Sequence, residues 1–188
     1  MLFHVDLGLD RVFAYRTEGG WLGTAEVAFA APEGSGPRHL MSLGGGRYIL
    51  LTELSAELFL LEQRDGRVVE LARLGAAPPL FGGDNLGGHL SRDPASGDIL
   101  LTNRGHDSLA RFGVEGDALV PRGWVPSLGH HPRHFTVHDG KALIINEKSG
   151  NVALVPLPGE EGESAVLAVP GAAFAIGEPS PTAGPSPA

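Results

Sequence analysis

The chain has 188 residues, of which 42% are hydrophobic and 19% charged, and this composition predicts one folded globular unit rather than a disordered segment. A formal net charge of -8, with no run of lysine and arginine interleaved with aromatic residues, excludes nucleic acid from the expected partners. No apolar stretch approaches the roughly 20 residues that cross a bilayer, so no membrane partner is expected. The 28 glycines, the 15 prolines and the absence of cysteine favour a turn-rich, disulfide-free, cytoplasmic β protein.

Four segments repeat one corner pattern, in which a small polar residue is followed by polar or glycine positions and then by an apolar strand. These segments are DLGLDRVFAY from Asp6, TELSAELFLL from Thr52, NRGHDSLARF from Asn103 and NEKSGNVALV from Asn146. Their apolar strands resume at Val12, Leu58, Leu109 and Val152. Apolar runs separated by turn residues in this way predict a β-hairpin at each corner.

A histidine-bearing strand and a turn precede each of the last three corners. The histidines are His39, His89 and His134, and the turns span residues 44–46, 93–98 and 139–141. A fourth strand follows the third, for example Arg67 to Leu74 beyond the Asp65-Gly66 turn. Units of four short strands that recur every roughly 40 to 50 residues are typical of the blades of a β-propeller. A β-sandwich is the alternative, although regular recurrence of one corner is not expected in a sandwich.

The strand pattern predicts an all-β domain over residues 1–176, followed by a tail over residues 177–188. The tail is rich in proline, serine and glycine and contains no apolar residues suited to a core. We therefore expect the tail to be disordered.

Five motifs, in the order DLGLDRVFAY, GPRHL, TELS, NRGHDS and HPRHF, resemble the lactonase family of seven-bladed β-propellers. The family includes bacterial propeller-type 6-phosphogluconolactonases and fungal carboxymuconate lactonising enzymes, and the resemblance runs from about Asp6 to Val155. It implies about three and a half to four blades of a seven-bladed ring, the C-terminal half of the family fold, since DLGLDRV falls near the middle of family chains. The preceding blades, with a histidine strand that supplies one catalytic candidate, would then lie upstream of Met1.

The resemblance also implies a site in the central cleft and hydrolysis of a small sugar lactone such as 6-phosphogluconolactone. No cofactor is expected, and the reaction would belong to carbohydrate metabolism, in the pentose phosphate pathway. By motif, Arg38 in GPRHL, Glu53 in TELS and Arg104 in NRGHDS take the positions of the family's catalytic candidates. Glu53 is the candidate general acid or base. The segment that contains it usually opens with asparagine, where this chain has Thr52.

Lactone hydrolysis requires an activated water, a stabilised oxyanion and an anchor for the anionic group of the substrate. Glu53 suits the first role if partial burial raises its pKa, whereas neighbouring arginines would lower that pKa. Arginines bind carboxylate or phosphate through paired hydrogen bonds, so Arg38, Arg104 and Arg133 are candidate anchors. The structural alternatives are a turn acceptor for Glu53, blade-to-blade salt bridges for Arg38 and Arg104, and duplication of the Pro-Arg-His feature for Arg133.

Four residues are further candidates for substrate binding: Arg133, His39, Asn103 and His106. His106 lies beside Arg104 in its corner and is the histidine we expect in the cleft. His39, His89 and His134 recur at one place in the repeat, which favours packing or hydrogen bonding between strands. None of the histidine spacings brings together the three or four ligands of a zinc site, so no metal is expected.

Two pairs of residues are assigned structural roles. Asp6 and Asp10 flank Gly8 and are interpreted as turn residues rather than as a catalytic carboxylate pair. Trp21 and Trp124 are expected to pack between blades.

Two other functions stay open beside lactone hydrolysis. One is a carboxymuconate-type lactonising cyclase, which would use the same groups in the reverse direction, and the other is a non-catalytic binding module. An open half-ring would expose apolar faces around Leu9-Val12 and the Ala165-Val169 strand, which favours self-association. We expect the chain alone to hydrolyse lactones at no more than a small fraction of the rate of a chain extended by the upstream blades.

Overall fold

The computed structural model describes residues 1–64 and 67–176, and every helix or strand position in these residues is a β-strand. The strands before residue 31 are β1 (Leu2–Asp6), β2 (Arg11–Tyr15), β3 (Thr17–Glu18), β4 (Trp21–Leu22) and β5 (Glu26–Ala30). Next come β6 (Pro37–Gly44), β7 (Arg47–Thr52), β8 (Glu57–Arg64), β9 (Arg67–Gly75), β10 (Leu86–Arg92), β11 (Ile99–Arg104), β12 (Ser108–Glu115) and β13 (Ala118–Pro126). The last are β14 (Pro132–His138), β15 (Lys141–Asn146), β16 (Asn151–Pro156) and β17 (Ala165–Ala168).

These strands form five antiparallel sheets, of which the four with three or four strands are called blades I to IV. Blade I has the strand order β1-β2-β5, and β3 pairs with β4 in a separate hairpin. Blades II, III and IV have the orders β6-β7-β8-β9, β10-β11-β12-β13 and β14-β15-β16-β17. The predicted propeller blades are confirmed, and the predicted fourth strand from Arg67 is β9. The Asp65-Gly66 turn and the 177–188 tail lie outside the described residues, which contain no helix able to span a membrane.

The four predicted corners occupy equivalent places: in blades II to IV each connects the second and third strands, and in three-stranded blade I the corner connects β1 and β2. The fifth residue of each corner has a left-handed backbone: Asp10 (φ 54°), Ala56 (φ 48°), Asp107 (φ 53°) and Gly150 (φ 62°). The carbonyl of each accepts a hydrogen bond of 2.9 to 3.0 Å from the residue that follows the last strand of its blade, which is Ala31, Ala76, Ser127 or Val169. Glycine and aspartate tolerate this conformation better than most residues, which explains three of the four choices.

Asp6 and Asp10 are turn residues, as the sequence predicts. One oxygen of Asp6 accepts the N–H of Leu9 at 2.9 Å. The carboxylate of Asp10 accepts the N–H groups of Gly34 and Gly36, each at 2.8 Å, and these bonds lower the pKa of Asp10. The corner therefore also fastens the start of the following blade.

The hydrophobic core lies between successive blades. In β7, Leu50 packs toward blade I whereas Ile49 and Leu51 pack toward blade III, because successive side chains of a strand point to opposite faces. In β11, Leu100 likewise packs toward blade IV while Leu101 packs toward blade II. Blades II and III are thus apolar on both faces, which explains the continuous apolar runs of their middle strands.

The structure tests the expected positions of two tryptophans, predicted to pack between blades, and of Val12, predicted to lie on an open face. Trp124 is confirmed there: its ring lies 5.8 Å from that of Phe112, and its indole N–H donates to the Ala76 carbonyl at 2.9 Å. The prediction for Trp21 is wrong, because this residue lies in the short β3-β4 hairpin and its side chain is 81% exposed. Val12 was expected on an open face, but it is 2% exposed because its side of β2 packs against blade II.

Candidate active site

Glu53 is the centre of a charged cluster where blades II and III meet. It directly follows β7, while Arg38 lies in β6 and Arg104 ends β11. One carboxylate oxygen of Glu53 pairs with Nη1 of Arg38, and the other lies 2.8 Å from Nη2 of Arg104. The exposed fraction of the side chain is 17% for Glu53 and 4% for Arg104. The three residues that the motifs single out as catalytic candidates therefore converge, although two separate blades supply them.

Main-chain carbonyls of β10 anchor both arginines. Nε of Arg38 donates to the Gly88 carbonyl at 2.6 Å, and Nη2 of Arg104 donates to the Gly87 carbonyl at 2.7 Å. Each guanidinium group thus bonds both the Glu53 carboxylate and the backbone. Planar groups with several fixed donors are suited to such bridging.

The electrostatics of the cluster keep Glu53 ionised. Burial by itself raises the pKa of Glu53, but the hydrogen bonds and positive charges of Arg104 and Arg38 outweigh burial and hold the pKa below its usual range. The raised pKa considered from the sequence is therefore wrong for this arrangement. One carboxylate faces two guanidinium groups, so the cluster carries a net positive charge. It can accept a proton from water at Glu53 and bind an anion at the arginines.

Arg133 forms an equivalent ion pair in blade IV. Its Nη1 lies 3.2 Å from a carboxylate oxygen of Glu147, and the two side chains are 43% and 41% exposed. The strand registers pair Pro37 with Thr52 and Pro132 with Asn146, which places Arg133 and Glu147 at the repeat positions of Arg38 and Glu53. The pair in blade IV has the same residues as the pair in blade II but much less cover.

The repeated histidines form a row of rings across three blades, in edge-to-face or tilted contact. The ring centroids are 5.0 Å apart for His39 and His89, 4.2 Å for His89 and His134, and 4.0 Å for His134 and Phe174. Burial is the main cause that lowers the pKa of His39 to about 4 and of His89 to about 3, and burial also lowers the pKa of His134. The rings are therefore uncharged at neutral pH, in agreement with the packing role that their recurrence predicts.

A small cavity lies beside this row of rings. It has a volume of about 230 Å³ and is lined by Arg38, His39, His89, Arg133, His134, Ala173 and Phe174. His39 and Arg133, both candidates for substrate binding, therefore share a cavity wall with Arg38. Their binding role stays a prediction.

Asn103 is buried and hydrogen-bonded to neighbouring segments, and its expected role in substrate binding stays a prediction. It is fully buried, and its amide N–H groups donate to the Ala76 carbonyl at 3.0 Å and to Ser108 Oγ at 3.2 Å. Its amide oxygen accepts from Asn85 at 2.8 Å. Neighbouring residues of a strand point to opposite faces, so the position next to Arg104 faces away from it.

His106 is held by its own corner. Its Nδ1 is hydrogen-bonded to Ser108 Oγ at 2.8 Å, and its ring lies 4.8 Å from that of Phe81. This hydrogen bond and this ring contact hold His106 against Ser108 and Phe81, neither of which belongs to the Glu53 cluster. The expected role of His106 in substrate binding stays a prediction.

The sequence reasoning missed Gly87, Gly88 and Phe174. Alignment of LGGHL with GPRHL and HPRHF would have shown that Gly88 replaces the repeated arginine. Alignment of GAAFA at residues 171–175 with the same motifs would have placed Phe174 at the histidine position. Within residues 1–64 and 67–176, no group of three or more His, Asp or Glu side chains is arranged to hold a metal ion.

Comparisons with known proteins agree with this architecture. The family model described as Lactonase, 7-bladed beta-propeller matches residues 1–180. The 6-phosphogluconolactonase of Bacillus subtilis (strain 168) is 33% identical over 174 residues, which cover 87% of this chain and 48% of that protein. The periplasmic gluconolactonase PpgL of Pseudomonas aeruginosa is 28% identical, with a TM-score of 0.76 over 89% of this chain and 51% of that one.

A further solved structure, a protein from Lactobacillus plantarum, has a TM-score of 0.75 at 24% identity, and this similarity concerns the fold alone. It covers 89% of this chain and 52% of that one. The chain thus spans about half the length of the relatives that it matches.

Proposed function

The chain belongs to the lactonase family of seven-bladed β-propellers, and from that membership we propose that it acts as a lactone hydrolase whose reacting groups are Glu53, Arg38 and Arg104. The observation that carries the proposal is the Glu53 carboxylate held between two arginines from different blades. This arrangement combines a proton acceptor with two donors for a developing negative charge, which are the groups that acyl transfer to water requires.

In the proposed reaction, a water molecule attacks the acyl carbon of the lactone while the Glu53 carboxylate accepts one of its protons. The carbonyl oxygen becomes an oxyanion, which the guanidinium groups stabilise. The bond between the acyl carbon and the ring oxygen then breaks, and the proton on Glu53 passes to that oxygen. The product is a hydroxy acid, and Glu53 returns to its carboxylate form.

The arginines also link oxyanion formation to proton transfer. The pKa of Glu53 is low because Arg38 and Arg104 bond directly to its carboxylate. When the guanidinium groups donate some of these hydrogen bonds to the oxyanion instead, they stabilise the Glu53 carboxylate less. The pKa of Glu53 then rises. Glu53 then becomes a better proton acceptor at the moment when the reaction needs one.

The substrate is proposed to be a sugar lactone, on the basis of the relatives described as 6-phosphogluconolactonase and gluconolactonase. The net positive charge of the cluster, with Arg133 on the neighbouring cavity wall, favours a lactone that carries a phosphate or carboxylate group. Those relatives are about twice as long as this chain, so it is also part of the proposal that this chain alone catalyses hydrolysis at a measurable rate.

The test is hydrolysis of 6-phosphoglucono-δ-lactone and glucono-δ-lactone by the purified chain, measured by proton release after subtraction of the spontaneous rate. Glu53→Gln is expected to reduce the catalysed rate by about 100-fold, since it removes the general base. Glu147→Gln is the matched control, because Glu147 has the same repeat position in blade IV, and it should stay within about twofold of wild type.

Two results would contradict the proposal. One is equal loss of rate in the Glu53 and Glu147 variants, which would assign the effect to the repeat rather than to the cluster. The other is the lack of any catalysed hydrolysis at chain concentrations that equal the lactone concentration, where even a small fraction of the family rate is measurable.

A further inference from the structure

Blade III differs from blades II and IV at the two positions that build the cluster. The registers pair Pro37 with Thr52, Gly87 with Asn103 and Pro132 with Asn146, so residues 38, 88 and 133 are equivalent, as are residues 53, 104 and 147. Blades II and IV have arginine and glutamate at these positions, whereas blade III has glycine and arginine. Blade III therefore cannot form an arginine–glutamate pair from these two positions. Its Arg104 pairs with Glu53 of blade II instead.

Gly87 and Gly88 contact all three members of the cluster through main-chain groups. The N–H of Gly87 donates to the main-chain carbonyl of Glu53 at 2.9 Å. The carbonyl of Gly87 accepts from Arg104 at 2.7 Å, and that of Gly88 accepts from Arg38 at 2.6 Å. In blades II and IV, proline stands at the position of Gly87 and has no N–H to donate.

The same two positions have no room for a side chain. A Cβ atom on Gly87 would lie 2.2 Å from the carbonyl oxygen of Thr52, and one on Gly88 would lie 2.3 Å from Thr102 Oγ1 and 2.6 Å from the carbonyl oxygen of Pro132. The ladder between β10 and β11 is irregular between Gly87 and Leu90, as at a β-bulge. A bulge leaves backbone groups unpaired, and here the carbonyls take side-chain donors instead.

We propose that Gly87 and Gly88 are the positioning residues of the candidate site, because their main-chain groups set where the Glu53 carboxylate and both guanidinium groups stand. A side chain at either position separates the blades and displaces the arginines. The inference deepens the proposed function and rests on it only for its catalytic readout, since the geometry of Glu53 is measurable without any substrate.

The first test compares Gly88→Ala with Gly75→Ala. Gly75 lies in β9, and a Cβ there would meet no atom within 4 Å, so it controls for the loss of a glycine from a strand. NMR titration of the Glu53 carboxyl group should show a pKa about one unit higher in Gly88→Ala, because Arg38 loses its main-chain anchor. The kcat for lactone hydrolysis should fall about tenfold, because displaced guanidinium groups no longer meet the oxyanion in the geometry that the reaction requires. Gly75→Ala should change neither quantity.

A purely structural role of Gly88 would lower the thermal midpoint and leave the Glu53 pKa of the folded protein at its wild-type value, and this result would overturn the proposal. If Gly88→Ala does not fold, Arg38→Lys tests the same bond with both glycines intact. A lysine ammonium is a single point donor and does not reach the Glu53 carboxylate and the Gly88 carbonyl together in the manner of a guanidinium fork.

The Glu53 pKa should rise in Arg38→Lys and stay unchanged in Arg133→Lys, the matched control from blade IV. An unchanged Glu53 pKa in Arg38→Lys would equally overturn the proposal. If the wild-type chain shows no hydrolysis, the proposed function fails, while the NMR comparison still decides whether the two glycines position Glu53.

Discussion

The Arg38–Glu53 pair of blade II and the Arg133–Glu147 pair of blade IV have the same residues at the same repeat positions. Their side chains are 20% and 17% exposed in blade II, but 43% and 41% exposed in blade IV. Blade III covers the first pair and adds Arg104 to it, whereas the described chain beyond blade IV is the short segment that carries Phe174. A repeated ion pair therefore becomes a candidate site only where the next blade completes it.

The largest difference between the two regions should be in stability. Leu60 is fully buried between blades II and III, so Leu60→Ala should lower the free energy of unfolding by about 2 to 5 kcal/mol through lost contacts and a cavity. Leu167 of blade IV is 68% exposed, and Leu167→Ala should stay within about 0.5 kcal/mol of wild type. Urea unfolding measures both variants. A large loss in Leu167→Ala would mean that the outer face of blade IV is covered in solution.

A smaller difference in the free energy of unfolding is expected between variants of Arg104 and Arg133. Arg104→Met leaves the mostly buried Glu53 with one cation fewer and should lower the free energy of unfolding by about 2 kcal/mol, less than for a fully buried pair because Glu53 keeps Arg38. Arg133→Met breaks a half-exposed pair and should cost less than about 1 kcal/mol. Equal losses in the same urea assay would argue that blade III adds nothing to the first pair.

The smallest effect is in the pH dependence of stability. The pKa of Glu53 is lower in the folded protein than its ordinary value of 4.5, so the unfolded chain binds the proton more readily. The stability that Glu53 contributes is therefore present above about pH 4.5 and is lost as the pH falls through its pKa in the folded protein. Urea midpoints between pH 6 and pH 3 should show the gap between wild type and Glu53→Gln narrowing on acidification. A difference in midpoint that widens on acidification would mean that folding raises the pKa of Glu53 instead of lowering it.

Much of the fold was predictable because its signals are local. The corners at Thr52, Asn103 and Asn146 each need only a few polar residues and one left-handed position, and all three lie where the repeat predicts. The motif resemblance also selected Glu53, Arg38 and Arg104 as a group. Their convergence needs only that equivalent strands of adjacent blades lie side by side.

The sequence says less about residues whose surroundings depend on which face of a strand they occupy. Asn103 and Arg104 are adjacent in sequence, yet one is buried among main-chain groups and the other bonds Glu53. His106 follows two residues later and bonds its own corner. Trp21 was expected to pack between blades, but it lies in the short β3-β4 hairpin and is exposed to solvent.

The sequence by itself determined the repeating strands, the corners between them and the family, because turn chemistry and apolar alternation are written within a few neighbouring residues. The tertiary structure decided which of two identical ion pairs acquires a third charged partner and a cover of backbone. That choice depends on segments far apart in the chain, such as Arg38 and Gly88, which are 50 residues apart and form one hydrogen bond. It also depends on main-chain carbonyls and on missing Cβ atoms, which a list of side-chain types does not reveal.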